Sequence, residues 1–145
     1  MSKFSILELS LIAVLTLAYT PSTLNAQIPD GQARIQVPFA FEVGSAHFAP
    51  GVYTIGMLND VTLHVRGQAS AAFASMRPES NPKTIETSKV VFRRVGNEYF
   101  LGEVWAAGST DHLVALQSKS EKQAVKLELA ANRPAASSVE IALAK

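Results

Sequence analysis

Cysteine is absent from this 145-residue chain. That excludes a disulfide framework, a lipid anchor on an N-terminal cysteine, and every thiolate-based metal or redox site. Charge is scarce too. Charged residues make up 17% of the chain and the net charge is +1, so no bulk field draws it to nucleic acid or to an anionic membrane. Its arginines and lysines are dispersed, with no basic run. No hydrophobic stretch is long. The most apolar one, Leu9 to Ala18, has ten residues, against the ~20 that a transmembrane helix needs.

Reactive constellations are missing as well. There is no G-x-S-x-G elbow and no glycine-rich phosphate loop, and the glycines stand mostly alone at turns. The three histidines, His47, His64 and His112, lie far apart in the chain. They lack the close ligand spacing of a metal site and read as solvated, His64 on the polar face of a strand and the others near loops. No catalytic residue, metal or cofactor is expected.

What is present begins with "MSKFSILELSLIAVLTLAYTPSTLNAQ". A basic residue, Lys3, precedes the apolar run, and a polar segment follows it and ends in "TLNA". That order predicts a secretory signal peptide over residues 1–26, cut after Ala26, and one domain over 27–145. The expected destination is the periplasm or the exterior, with no membrane span left after cleavage. An uncleaved anchor or a buried helix are the other readings of this run. With 48% hydrophobic residues, the domain is long enough to hold itself together by packing.

Along the domain, Val37, Phe39, Phe41 and Val43 alternate with Pro38, Ala40 and Glu42, which predicts a strand with Pro38 at an edge or a bulge. Turns follow at Gly44-Ser45 and Pro50-Gly51. Val52 to Leu58 and Val61 to Arg66 read as strands around an Asn59-Asp60 turn. "SAAFASM" reads as a weaker one. Arg77 to Thr84, with two prolines, reads as a loop.

"VFRRVGNEYFLGEVW", Val91 to Trp105, is the most informative stretch. Gly96-Asn97 between two β-rich runs predicts a hairpin. A regular register sets Arg94 against Tyr99, Phe92 against Leu101 and Val90 against Glu103. One face then carries Val90, Phe92, Tyr99, Leu101 and Trp105, and the other Val91, Val95, Phe100 and Val104. Both faces are apolar, so the hairpin is expected to be central and covered on both sides. Arg94 beside Tyr99 suggests a cation–π contact. Tyr99 and Trp105 would form a stacking platform for a sugar if exposed, though a lone strand tryptophan is more often core. Glu103, between Leu101 and Trp105, is the one carboxyl on an apolar face. It is either a buried acid–base candidate or a rim residue paired with Lys89 or Arg93. Glu98 falls on the opposite face from Glu103, which argues against a carboxylate pair.

Beyond Asp111, Ser118 and Glu121 fit a capping box, and Asn132 and Pro134 would stop a helix. Val125, Leu127 and Leu129 alternate as in a strand, but propensity and caps agree on a helix over 118–131. Val139, Ile141 and Leu143 predict a closing strand. The fold class is therefore mainly β: a small antiparallel barrel or sandwich of about seven strands with one C-terminal helix.

"VPFAFEVGSAHFAPGVYTI", "VVFRRVGNEYFLGEVWAAGS" and "SKSEKQA" together resemble a family of small, secreted, uncharacterised bacterial proteins. The family pattern is V-P-F-x-F, then a turn with glycine and tyrosine, then F-x-R-x-G-x-x-Y-F-L-x-x-x-W. It falls here on Val37-Pro38-Phe39 and Phe41, Gly51 and Tyr53, Phe92, Arg94, Gly96, Tyr99-Phe100-Leu101 and Trp105. The resemblance implies export and a β-rich fold, and no established activity. "FAPGVY" departs from the family's turn by placing proline directly before glycine.

Three functional expectations follow. The first is a non-catalytic exported domain that binds an envelope or extracellular protein, glycan or lipid, with Tyr99, Glu103, Trp105 and Arg94 as candidate contacts. The second is an assembly component that acts through its edge strands. The third is a hydrolase using Glu103.

Overall fold

A computed structural model describes residues 31–143. The segment read as a signal peptide lies outside the described residues. The strands in chain order are β1 (Gln32–Val37), β2 (Phe41–Val43), β3 (Ala46–Phe48), β4 (Gly51–Asn59), β5 (Thr62–Arg66), β6 (Ala71–Ser80), β7 (Lys89–Val95), β8 (Glu98–Trp105) and β9 (Asp111–Ala115). A helix α1 (Lys119–Ala130) and a last strand β10 (Ser137–Ala142) follow. The described residues are mainly β with one helix near the C-terminus, as the sequence predicts.

The pairing runs β1-β4-β5-β6-β9-β8, and β7 and then β10 continue from the other side of β8. Strand β6 turns the corner. Its first half pairs with β5 and its second half, from Met76, with β9. The sheet thus wraps around one core, barrel-like, with β1 and β10 as its ends. The β2–β3 hairpin joins β8 through a parallel bridge, Glu42 to Phe100. All the other ladders are antiparallel.

Three expectations need correction. Among the described residues ten strands form instead of about seven. Pro38 sits in no strand: β1 ends at Val37 and β2 starts at Phe41. The apolar alternation survives the break, since Val37, Phe41 and Val43 are buried and Phe39 packs against them. Finally, Arg77–Ser80 is strand and not loop. Past Ser75 only one edge of β6 is paired, and there a proline lacking its N–H is tolerated. The partner of that segment, β9, lacks an alternating pattern, which hid it in the sequence.

Aromatic side chains fill one end of the core. Phe41 stacks on Phe48 at 5.1 Å and meets Phe92 edge-on at 5.2 Å. Phe39 stacks on Tyr99 at 4.1 Å. The Tyr53 ring meets Phe41 and Phe48 edge-on, and its hydroxyl donates to the Ala49 carbonyl. Phe41, Phe48 and Phe92, which are fully buried, each contribute about 1.5–3 kcal/mol, and Phe39 and Tyr99 are half-buried.

The helix packs outside the sheet. Ala124 and Val125 meet Val95 and Phe100 on the outer face of the β7–β8 hairpin, so this hairpin is covered on both sides. Ser118 caps the helix by accepting from the Glu121 N–H at 3.1 Å. Asn132, at φ 55°, ends it. Propensity and caps therefore prevail over the Val125-Leu127-Leu129 alternation, and Leu127 and Leu129 stay exposed.

Candidate functional site

The β7–β8 hairpin is irregular at one position, and that position decides where the candidate residues go. Arg94 faces Tyr99, Arg93 faces Phe100 and Phe92 faces Leu101. The next pair is Val91 with Glu103, so Gly102 is a bulge. A Cβ on Gly102 would lie 2.8 Å from the Val91 carbonyl oxygen, so a side chain is excluded there. Val90 consequently faces Val104, not Glu103.

The bulge reverses the alternation after Leu101. Leu101 and Val104 both point into the core. Glu103 and Trp105 share the outer face, where the Trp105 indole N–H donates to Glu103 Oε2 at 2.6 Å. Tyr99 and Arg94 remain on the inner side, the guanidinium 5.7 Å from the ring centre. The four candidate contacts therefore form two separate pairs. Tyr99 and Trp105 do not build one platform. Glu103 takes neither Lys89 nor Arg93 as its ion partner: Lys89 pairs with Glu140 at 2.7 Å and Arg93 with Glu121 at 2.5 Å.

Trp105 is the hub of the outer face. His112, its ladder partner on β9, stacks on it at 3.7 Å with ring planes 6° apart. The Lys89 ammonium lies 5.4 Å from the ring centre. The His112 side chain is only 9% exposed, with Nε2 4.0 Å from Glu79 and Nδ1 without a hydrogen-bond partner among the described residues. It is not the solvated histidine its sequence position suggests. His47 is exposed, 3.1 Å from Glu42, and His64 stacks on the exposed Phe73. Among the described residues no group of three metal-ligating side chains comes together.

The end of the core opposite the aromatic cluster is open. A cavity of about 260 Å³ lies there. Ala33, Ile55 and Leu63 line it from one side of the fold, and Val104, Leu113 and Leu143 from the other. Gly31, Pro78, Ser88, Asp111 and the Trp105–Ala106 end of β8 also contribute to its wall. The phenylalanine and tyrosine rings gather at the other end, and here small and aliphatic side chains, with Trp105 and His112 beside them, leave the space open. A dry apolar cavity of ~150 Å³ takes up benzene, so this one has room for a ring with a short substituent. It is below the ~300–1,000 Å³ of drug-sized pockets.

A third cluster ties the helix down. The Arg93 guanidinium donates to both Glu121 oxygens, at 2.5 and 3.0 Å, and to the carbonyls of Leu101 and Ala115. It thus satisfies acceptors at the bulge and on β9 while neutralising a carboxylate whose side chain is only 3% exposed. Ser120 Oγ donates to the buried Glu42 at 2.7 Å, linking the helix to β2. Reading Glu121 as a capping-box residue explains its backbone contact but not its pairing with Arg93, which required the tertiary fold.

No helix among the described residues is long and apolar enough to cross a membrane. The fold and site thus define a mainly antiparallel β-domain with an apolar cavity at one end. Compared with known protein families, curated proteins and solved structures, the chain matches none.

Proposed function

We propose that the protein is an exported, non-catalytic β-domain that binds a small apolar ligand, or the apolar end of a larger one, in the cavity between β1, β4 and β5 on one side and β8 and β9 on the other. The single observation that carries this reading is the cavity itself: an apolar void at one end of a core whose other end is filled. Such pockets are the default binding sites of barrel-like folds. Export is supported by the order of basic, apolar and polar segments at the N-terminus and by the resemblance to small secreted bacterial proteins. Glu103, the best candidate for catalysis, is bound to the Trp105 indole and does not line the cavity.

Thermal unfolding of the purified mature protein, Gln27 to Lys145, against small aromatics, lipids, glycans, divalent metals and envelope extract tests the proposal. Small apolar compounds are expected to raise the midpoint, by ~2.7 kcal/mol of stability at a hundredfold excess over Kd. A shift with glycans or metals alone would refute it. A second reading, assembly by strand addition, is favoured by β1 and β10, each paired along one edge only among the described residues. It predicts a mass by light scattering that grows with concentration, and a strict monomer would remove it.

A further inference from the structure

We infer that the preferred occupant of the cavity is a small apolar molecule whose polar end is cationic, an aryl or alkyl amine, and not the matching carboxylic acid. This rests on the binding reading above and adds its head-group chemistry.

The observation is the charge of the cavity wall. Its apolar part has no preference between an amine, an alcohol and an acid, so its polar groups must discriminate. Among the described residues, Asp111 is the carboxylate on that wall, and neither lysine nor arginine contributes to it. Asp111 Oδ1 accepts from Ser80 Oγ at 2.6 Å, and no hydrogen bond within the described residues engages Oδ2. Ser88 adds a neutral hydroxyl, which accepts from the Ala107 N–H at 2.9 Å. The nearby basic side chain Lys89 is held by Glu140 at 2.7 Å. His112 also lines the wall; its Nε2 lies 4.0 Å from the Glu79 carboxylate, and its Nδ1 has no hydrogen-bond partner among the described residues. An acid seated with its apolar end inward would bring its carboxylate to Asp111 with no lysine or arginine on the wall to offset it. An amine would find an acceptor and an opposite charge at the same place. Asp111 is exposed, so the discrimination is of the size of an exposed ion pair, about two- to fivefold for the attraction alone.

The test uses three molecules of one size, 2-phenylethylamine, 2-phenylethanol and phenylacetate. Each is titrated into the protein while the emission of Trp105, its only tryptophan and part of the cavity wall, is followed. The amine is expected to bind about fivefold more tightly than the acid at low ionic strength, with the alcohol between them. The gap should narrow in high salt and in Asp111→Asn. Equal affinities, or tighter binding of phenylacetate, would overturn this inference and leave the cavity reading standing. Failure of all three to bind would overturn both.

Discussion

Gly102 and Arg93 act as one device on the β7–β8 hairpin. The glycine lets Val91 and Phe92 face three residues of β8, and the arginine lies over that place, binding the Leu101 carbonyl and Glu121. Gly102→Ala is expected to cost about 1–3 kcal/mol in denaturant unfolding, because its Cβ meets backbone and not a flexible side chain. An unchanged midpoint would mean the hairpin has a regular register. Arg93→Met is expected to cost about 3–5 kcal/mol by stranding the buried Glu121, and the double variant Arg93→Met/Glu121→Met to recover much of that loss. If the two single losses instead add, the pair is not coupled. The sequence showed the hairpin through Gly96-Asn97 but not the bulge. A single glycine in a strand marks either a bulge or a weak spot, and only the neighbouring carbonyl decides between them. For that reason Glu103 and Trp105 lie on the opposite face from the one a regular register predicts, while Arg94 and Tyr99, on the turn side of Gly102, pair as it predicts.

Elements were legible where local signals agreed. The helix carries its own N-cap, and Ser118→Ala is expected to lower stability by about 1 kcal/mol in chemical denaturation. A loss below a few tenths would show that docking through Arg93–Glu121, and not capping, sets the helix start. Strand β9 and the end of β6 were illegible for the converse reason. "DHLVA" has no alternation, and Pro78 carries a loop signal that its one-sided pairing overrides. The split between β1 and β2 at Pro38 was hidden because the inward phase of Val37, Phe39, Phe41 and Val43 continues through it.

At the scale of the molecule, the unequal filling of the core is the feature that suggests function. Phe39, Phe41, Phe48, Tyr53, Phe92 and Tyr99 pack one end, and the cavity occupies the other. Nothing in the linear sequence separates these two ends, because each antiparallel strand pair runs from one end of the core to the other and back. Ala33→Leu should extend a side chain into the cavity. It is expected to raise the unfolding midpoint, by about 0.5–2 kcal/mol in stability, and to weaken small-ligand binding at least tenfold. A loss of stability above ~1 kcal/mol would indicate that the space is already filled. The central claim is that this end of the core receives an apolar ligand. Methyl NMR spectra recorded while 2-phenylethanol is added test it most directly. The account predicts shifts confined to Ile55, Leu63, Val104, Leu113 and Leu143, with Val37 and Val43 at the aromatic end unmoved. Shifts centred instead on the exposed Leu127 and Leu129 of the helix, or no saturable shift at all, would contradict it.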